Sequence, residues 1–563
     1  MNFFELIIFF IIFQIFYFIS TWKLYIIAGE KSWKAIIPFY NLIILMKIIN
    51  RPKWWIILLF IPVINIIMYL IIVIEFLRSF GKNSNSDTII GLLSLGIYLS
   101  YINYLTSPKY IENRSLRPKT AFGEWISALL YAIIAATIVH NYFIQPYIIP
   151  TGSLEKTLLI GDFLFVSKFH YGARVPTTPI SFPMVHDTIP ILRIRSYLKS
   201  PQLPYLRLPG FQKIKRNEIV VFSWPADTVR KFFVKEKGVI KPIDKKSNYV
   251  KRCVGISGDT LEIKNGYVHI NGIKSTLPDR AKTQYTFKLY DSKGISSKKL
   301  LQNGIEEFTR KYKITNITSS SYNSIKPHIL GTISNDRNNF IVVTKSKGLP
   351  VKLIRSLGLN TTELLEKRKN ITLNINKAKK IKNLKLFDSI IQKNNLDKTY
   401  NTSYFPNNLN YNWNEDNFGP IIIPQKGITI NINSKNIPLY KKIIKNYEKN
   451  TLQKNGKDFI INGEKTNKYK FKQDYFWMMG DNRHKSEDSR VWGFVPEDHI
   501  VGKPVLIWFS IKGINDSLKN WRIRWSRIMT TVKGEGKPIS FFPYFIALII
   551  IWQIIVFIRN RKT

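Results

Sequence analysis

The sequence has one cysteine and few acidic residues among its 563 positions, and each shortage excludes a class of protein. Cys253 has no second cysteine with which to form a disulfide inside the chain, so a disulfide framework is excluded. The seven histidines and Cys253 follow none of the spacings typical of metal sites, so we predict no bound metal. No internal repeat is present in the sequence.

Acidic residues number 37 against 84 lysines and arginines, which gives a net charge of +47 and a pI near 10.0. This charge suggests nucleic-acid binding, but the cations are spread along the chain among isoleucine and asparagine residues. They form neither a basic helix nor a motif with aromatic residues that could stack on bases. We therefore predict no nucleic-acid partner. Beside a membrane, this positive charge would attract anionic headgroups, so membrane lipids are expected partners.

Long apolar runs are what the sequence has in abundance. Five of them approach the roughly 20 residues that span a bilayer, and they are Met1–Ser20, Trp54–Leu77, Thr88–Leu105, Glu124–Ile144 and Phe541–Ile558. The first run lacks a basic start and a small-residue cleavage site, so we interpret it as an anchor. The sequence therefore predicts a membrane protein with five spans.

The cations that flank these runs predict the orientation. They are Lys23, Lys31, Lys34, Lys47, Arg51 and Lys53 after the first run, Arg114, Arg117 and Lys119 before the fourth, and Arg559, Arg561 and Lys562 at the end. Because lysine and arginine are enriched on the cytoplasmic side, these loops are expected inside the cell. The N-terminus and the long segment 145–538 would then face outward.

Two short segments about a hundred residues apart offer a nucleophile and a base. Ser153 follows Pro150 and Gly152 in a turn just after the fourth apolar run, and Lys251 lies in an apolar strand. Alternation along the strand places Tyr249, Lys251 and Cys253 on one face. Desolvation would lower the lysine pKa, and only a neutral amine can accept a serine proton. An ordinary turn and a solvated strand lysine remain the alternatives from these residues alone.

Five segments in order resemble those of bacterial type I signal peptidases of the peptidase S26 family. They are 145–153 with 157–162, then 218–222, 249–252 with Gly258 and Asp259, 480–483, and 488–496. The resemblance covers residues 124–272 and 456–510. Segments 32–41 and 51–55 also resemble a small membrane domain that precedes signal peptidases in some Bacteroidota-like sequences.

The resemblance implies a role for each matching position. Ser153 would be the nucleophile and Lys251 the general base, while the Thr151 hydroxyl and Ser153 amide would form the oxyanion hole. Ser486 would orient the lysine amine. The supporting polar frame would be Asp481, Asp488 and Arg490, and the substrate pockets would be lined by Tyr147, Ile149, Leu154, Leu158, Tyr249 and Val250. The family needs no cofactor.

Three positions depart from the family pattern. Leu154 replaces a methionine, which is nearly volume-conserving. Lys156 replaces a proline, which frees the backbone after the nucleophile and adds a cation that could alter membrane contact or substrate preference. His484 stands where the family more often has an acidic residue, and we interpret it as a surface substitution.

The predicted fold is a membrane protein with N-terminal transmembrane helices, a mainly antiparallel β catalytic domain of signal peptidase type outside the membrane, and a C-terminal transmembrane helix. The predicted membrane part comprises a domain at 1–108 with about three helices, a basic cytoplasmic linker at 109–123 and an anchor at 124–144. The catalytic domain follows in two parts, at 145–274 and 456–538, which are separated by a mainly β insertion at 275–455 with helical content near 361–380. The chain ends with a transmembrane helix at 539–558 and a basic cytoplasmic tail at 559–563.

The function implied by the resemblance is removal of signal peptides from exported preproteins, after small-residue sites of the Ala-x-Ala kind, through an acyl-enzyme. The expected location is the bacterial inner membrane, with the catalytic domain on the periplasmic side, and the secretion translocon is a candidate partner. Three alternatives are a self-cleaving serine-lysine repressor, a pseudopeptidase that keeps the fold without turnover, and a nucleic-acid-binding protein.

Overall fold

The computed structural model describes residues 3–94, 96–118, 120–227, 239–336, 339–456 and 458–562. Lys119, one of the cations before the fourth apolar run, lies outside the described residues. The described chain has a helical N-terminal part, a β-rich middle part and a single helix at its C-terminal end. Apolar helices at both ends and the antiparallel β architecture between them confirm the predicted fold class.

Three helices in the described ranges are long and apolar enough to cross a membrane. They lie at Ile7–Ile27, Ala121–Phe143 and Phe542–Arg561, and they correspond to the first, fourth and fifth apolar runs. The full set of helices outside the β-rich part is Phe3–Ile27, Tyr40–Ile48, Trp55–Leu59, Ile64–Ser79, Asn85–Leu93, Ile97–Leu105, Ala121–Ile138 and Phe542–Lys562.

The second and third apolar runs do not form continuous helices of spanning length. The second is divided into Trp55–Leu59 and Ile64–Ser79, and the third into Asn85–Leu93 and Ile97–Leu105. Gly96 adopts φ 98°, a left-handed conformation that glycine tolerates and that interrupts the third run. The 16-residue helix of the second run is about 24 Å long at 1.5 Å per residue. The described residues thus contain three spanning-length helices where five were predicted.

A buried ion-pair cluster joins the basic linker to the N-terminal helices. Arg51 donates to Glu75 at 3.1 Å, and Arg114 of the linker pairs with the same carboxylate. Arg114 also donates to the Ile49 carbonyl oxygen at 2.8 Å. These bonds fix the linker against a core of apolar side chains that includes Phe76.

The catalytic sheet is a nine-stranded antiparallel sheet that carries the predicted serine and lysine segments. Its strands are Ile144–Ile148, Asp162–Ser167, Ile219–Ser223, Asn248–Gly255, Tyr475–Met479, Val495–Pro496, Ile500–Lys512, Arg522–Ile523 and Thr530–Thr531. The strand Asn248–Gly255, called here the lysine strand, pairs with Ile219–Ser223 on one side and Tyr475–Met479 on the other. Tyr475–Met479 pairs only with residues 252–255, so residues 248–251 have a paired strand on one side alone in the described structure.

The region between the lysine strand and residue 474 is built from smaller antiparallel sheets. Its strands are Thr260–Lys264, Tyr267–Ile270, Ile273–Lys274, Gln284–Ile295, Thr309–Thr315, Ile329–Asp336, Asn339–Lys345, Asn360–Glu363, Glu366–Asn374, Ser389–Gln392, Phe418–Ile422, Thr429–Asn431, Leu452–Asn455, Asp458–Ile461, Glu464–Lys465 and Lys468–Lys470. Short helices lie at Ser297–Gln302, Ser319–Ile325, Val351–Ser356, Ile375–Asn383 and Ile437–Lys442.

The helix expected near 361–380 is present only in its last part. Glu366–Asn374 is a strand because it pairs along Gln284–Ile295, and the helix begins at Ile375. The Asn374 side chain accepts a hydrogen bond from the Asn376 amide at 2.9 Å and so caps the helix. Pairing between distant strands therefore overrides the local preference of this segment.

Candidate active site

Lys251 lies in the middle of the lysine strand, opposite Val220 of the neighbouring strand. The residue is 3 % exposed, because the neighbouring strand Ile219–Ser223 and the segment that carries Ser153 cover it. Burial removes water from the ammonium group and lowers the pKa of Lys251 to about 8, although the carboxylates of Asp488 and Glu487 partly oppose this shift. A substantial fraction of Lys251 is therefore neutral in weakly alkaline solution.

Ser153 lies within hydrogen-bonding distance of this amine. It is the middle residue of a short 3-10 turn, Gly152–Leu154, called here the nucleophile turn. Lys251 Nζ and Ser153 Oγ are 2.6 Å apart. The Leu154 side chain is 1 % exposed and anchors the turn in the core of the sheet.

Asn482 holds the nucleophile turn, and sequence analysis gave it no role. Its backbone amide donates to the Ser153 carbonyl oxygen at 3.0 Å, and its side-chain amide donates to the Gly152 carbonyl oxygen at 3.2 Å. Asn482 is 2 % exposed, so these bonds are shielded from water. The sequence offered one indication of this role, which is that Asn482 directly follows Asp481 in the 480–483 segment.

Gly480 allows the loop that carries Ser486 to approach the nucleophile turn. A β-carbon at Gly480 would overlap Ser486 Oγ and lie 2.6 Å from the Ser153 carbonyl oxygen. The Ser486 hydroxyl oxygen is buried and has no hydrogen-bond partner in the described part of the chain. The predicted lysine-orienting residue thus lies beside the turn without a direct bond to Lys251. Thr151, the predicted oxyanion residue, immediately precedes the turn and is exposed.

Asp481 forms a buried bidentate pair with Arg252 of the lysine strand. Arg252 Nε and one terminal nitrogen donate to the two carboxylate oxygens at 2.7 and 2.6 Å. Thr157, after the nucleophile turn, donates to the same carboxylate at 2.6 Å. Burial opposes ionisation, but the charge and hydrogen bonds of Arg252 prevail and lower the pKa of Asp481. The pair therefore connects the lysine strand to the serine segment.

Asp488 and Arg490 form a second buried pair behind the site. Two guanidinium nitrogens of Arg490 each donate at 2.9 Å to the Asp488 carboxylate, and the Gly480 amide donates to it at 3.0 Å. Burial opposes ionisation of Asp488, but the adjacent Arg490 charge keeps the pKa of this carboxyl low. Arg490 also donates to the Arg483 carbonyl oxygen at 2.5 Å. These bonds fix the shape of the 480–490 loop.

The six residues predicted to line substrate pockets belong to two separate apolar clusters in the structure. Tyr147, Ile149, Leu154, Leu158 and Val250 belong to one apolar cluster beside the nucleophile turn. Tyr249 belongs to another cluster, where its ring lies 5.2 Å from that of Trp224 and 5.3 Å from that of Trp492. Neighbouring residues of a strand point to opposite faces, so Tyr249 and Val250 lie on opposite sides of the sheet.

His484 is not the surface substitution that the sequence suggested. Its side chain is 11 % exposed and lies between two segments of the 275–455 region. The Thr286 amide donates to Nδ1 at 2.9 Å, so Nε2 carries the proton and donates to Asp416 at 2.7 Å. A carboxylate at position 484 would face Asp416. His484 therefore connects the 480–490 loop, called here the catalytic loop, to the 275–455 region, called here the inserted region.

Lys156 also contacts the inserted region. Its ammonium group pairs with Glu306 at 2.8 Å, and both side chains are partly exposed. The residue adopts φ 69°, which a proline cannot adopt because its ring fixes φ near −65°. The departure from the family pattern at this position thus accompanies a different backbone conformation after the nucleophile turn.

Comparisons with known proteins agree with this geometry. The model of the family described as "Signal peptidase, peptidase S26" matches residues 122–326 and 421–509, and a family of unknown function (DUF5684) matches residues 33–113. Signal peptidase I of Buchnera aphidicola subsp. Acyrthosiphon pisum is 25 % identical over 75 % of this chain and 90 % of its own length. Signal peptidase I of Helicobacter pylori is 24 % identical over 76 % and 97 %, and that of Rickettsia massiliae is 27 % identical over 38 % and 64 %.

Proposed function

This chain belongs to the signal peptidase family, peptidase S26, and we propose that it removes signal peptides from exported preproteins by means of Ser153 and Lys251. The observation that carries the residue assignment is the 2.6 Å separation between Lys251 Nζ and Ser153 Oγ in a site that water scarcely reaches. The enzyme is a serine endopeptidase, and the proposed chemistry requires no cofactor.

In the first step, neutral Lys251 accepts the Ser153 proton as the hydroxyl oxygen attacks the carbonyl carbon of the scissile bond. The resulting tetrahedral intermediate carries a negative oxygen. Because the first amides of a helical turn have no partner within the turn, the Ser153 amide is available to donate to that oxygen. The Thr151 hydroxyl is proposed as the second donor.

In the second step, the protonated Lys251 gives its proton to the leaving amine, and the carbonyl remains attached to Ser153 as an ester. Lys251 then removes a proton from water as the water oxygen attacks the ester carbonyl carbon. It returns that proton to Ser153 Oγ as the bond between carbon and Oγ breaks and the signal peptide leaves as a carboxylic acid. Two buried ion pairs, Arg252 with Asp481 and Arg490 with Asp488, hold the segments that carry the two reacting side chains in place. They act as positioning groups, since neither carboxylate contacts Ser153 Oγ or Lys251 Nζ in the described structure.

The substrate is expected to bind as an extended strand whose main chain pairs with exposed backbone near the nucleophile turn. Small side chains before the scissile bond would then enter the apolar cluster of Tyr147, Ile149, Leu154, Leu158 and Val250. Tyr249 lies on the other face of the sheet, and we propose that it shields Lys251, whose Nζ is 5.4 Å from the centre of its ring.

The protein is membrane-bound, and we propose that its catalytic domain faces the periplasm. The support is the cation distribution, since Arg51 and Arg114 both lie in the segment between the first two spanning-length helices. The proposal includes the predicted domain boundaries, which follow residues 108, 123, 144, 274, 455 and 538. Membrane lipids and the secretion translocon are proposed partners, since precursors arrive there during export.

The two departures beside Ser153 do not favour a pseudopeptidase. Leu154 packs in the core, and Lys156 is paired with Glu306, so both leave the contact between Ser153 and Lys251 intact. The apolar helices disfavour a soluble self-cleaving repressor. Binding to nucleic acid rests on charge alone.

The test is cleavage of a purified secretory precursor by the full chain in liposomes, with the new N-terminus of the product identified. We expect cleavage after a site of the Ala-x-Ala kind, and loss of cleavage in Ser153→Ala and Lys251→Ala. Lys352→Ala, an exposed lysine of the inserted region, is the matched control and should cleave normally. Inert wild-type protein on several precursors would refute the activity. Normal cleavage by either active-site variant would refute the residue assignment.

A further inference from the structure

A polar cavity lies where the helix Ala121–Phe143 meets the catalytic sheet. It encloses about 140 Å³, and its wall includes His140 and Asn141 from the last turn of that helix. The opposite wall is formed by Tyr147, Lys168 and Arg174. A water molecule takes about 30 Å³ in the liquid, so the cavity has room for a phosphate-sized group.

Three cations line this cavity, and a single carboxylate faces them. The cations are Lys168, Arg174 and Lys245, and the carboxylate is Asp244. Asp244 is already occupied by other donors. Thr177 and Thr178 donate their hydroxyl protons to it at 2.9 and 2.8 Å, and the Thr178 amide donates at 3.1 Å. The cavity therefore has an excess of positive charge.

Two of the cations have no hydrogen-bond acceptor among the described residues. Lys245 is 7 % exposed, and its ammonium group lies over the Tyr197 ring at 5.4 Å. Burial, with a smaller contribution from the Arg174 charge, lowers the pKa of Lys168 to about 7. Arg174 is held in place because it donates to the Asp498 carbonyl oxygen at 3.1 Å and to Ser223 at 3.2 Å. Lys245 is buried and Lys168 is half-buried, so water solvates both ammonium groups poorly, and an anion placed between them would offset that cost.

We propose that this cavity binds the phosphate group of an anionic ligand, presented either by a membrane phospholipid or by a free phosphate ion. Cations that approach one point from several directions suit a compact anion with several acceptor oxygens. The cavity lies at the end of a membrane-length helix, which is the level at which phospholipid headgroups are found. Val63, which precedes the helix Ile64–Ser79, also lines the cavity, so a bound headgroup would touch the N-terminal helices as well.

The test uses the full chain, stripped of lipid in a non-ionic detergent, and follows its thermal unfolding. The probes are a short-chain phosphatidylglycerol, inorganic phosphate, and a short-chain diacylglycerol that lacks phosphate. A ligand that binds only the folded protein raises the unfolding temperature, and the rise continues as its concentration exceeds its Kd. We expect stabilisation by a phosphate-bearing probe and none by the diacylglycerol.

The variants are Lys168→Met and Lys245→Met, with Lys352→Met on the exposed inserted region as the control. Each cavity variant removes an ammonium group that has no hydrogen-bond acceptor among the described residues, so we expect the probe-free protein to remain folded and to cleave precursor. The affinity for the phosphate-bearing probe should fall at least tenfold in both cavity variants and stay unchanged in the control. Lys168→Gln provides a second, polar replacement if the methionine variant does not fold.

A stronger response to phosphatidylglycerol than to inorganic phosphate would identify a phospholipid as the source. An equal response, or a response to inorganic phosphate alone, would identify free phosphate. The proposal is overturned if neither phosphate-bearing probe stabilises the wild-type protein, or if the cavity variants respond as the wild type does. Neither readout depends on peptide cleavage, so this result and the test of peptidase activity are independent.

Discussion

His484 donates a hydrogen bond from Nε2 to Asp416 Oδ1 at 2.7 Å and thereby joins the catalytic loop to the inserted region. In His484→Glu, two carboxylates would meet in a site from which water is largely excluded. We expect the free energy of unfolding to fall by roughly 1–3 kcal/mol, the usual penalty for a buried polar group that loses its partner. Thermal or denaturant unfolding of the full chain in detergent measures this change.

His484→Gln is the matched control, because its side-chain amide can still donate to Asp416. It should lose less stability than the glutamate variant. Equal stability of His484→Glu and the wild type would contradict the assigned contact between His484 and Asp416.

Two replacements of Lys156, by glycine and by proline, both remove its ion pair with Glu306, but we expect them to differ in stability and in cleavage rate. Its φ of 69° is accessible to glycine but closed to proline. Lys156→Gly should fold and cleave as the wild type does, with stability within about 1 kcal/mol of it, because relief of the left-handed strain offsets the greater freedom of the unfolded chain. Lys156→Pro restores the family residue, yet should unfold at lower temperature and cleave more slowly. Similar behaviour of the two variants would show that the ion pair, and not the backbone, governs this turn.

Asn482 is predicted to act on catalysis through the position of Ser153. Asn482→Ala removes the side-chain bond to the Gly152 carbonyl oxygen, so the nucleophile turn should be held less firmly. We expect kcat to fall about tenfold with little change in KM, as for other losses of alignment. Steady-state kinetics on a precursor peptide in detergent measure both constants.

Asn414→Ala is the control that distinguishes an effect on the position of Ser153 from an effect on the stability of the protein. Asn414 is 1 % exposed and donates to two carbonyl oxygens in the inserted region, at 2.9 and 3.1 Å. Its loss should lower the unfolding temperature while kcat of the folded protein stays unchanged. If both variants lowered kcat equally, Asn482 would have no special role in positioning.

Ser486 should tolerate replacement structurally while affecting the reaction. Its buried hydroxyl has no partner in the described chain, so Ser486→Ala removes an unsatisfied group and should leave stability unchanged or raised. If the hydroxyl orients Lys251 during catalysis, kcat falls and the pH dependence of the rate shifts. An unchanged kcat and an unchanged pH profile would remove Ser486 from the mechanism.

The fold class could be predicted from local patterns, whereas Ser153 and Lys251 could be singled out as a pair only with the family resemblance, because their own residues left other interpretations open. A turn after an apolar helix and a lysine in an apolar strand are both visible within ten residues of sequence. The roles of His484 and Lys156 depend on Asp416 and Glu306, which lie 68 and 150 residues away in a region without recognisable motifs. Such contacts are decided by tertiary packing, which composition does not reveal.

The number of spanning-length helices was overestimated for a similar reason. Hydropathy over 54–77 and 88–105 satisfied the length requirement, but breaks inside those runs are set by backbone conformation. Gly96 is the plainest case, since its left-handed conformation ends one helix and begins another. The six predicted pocket residues do not form a single surface, because Tyr249 and Val250 point to opposite faces of the sheet.

The central claim is that neutral Lys251 takes the proton of Ser153, and the pH dependence of kcat/KM tests it most directly. Below its pKa the lysine is protonated and cannot accept a proton, so activity should rise with pH. In liposomes with a precursor substrate, between about pH 6 and 10, kcat/KM should increase through a pKa near 8 and then level off. A rate that is flat across this range, or that rises only near the ordinary lysine pKa of about 10.4, would contradict the account.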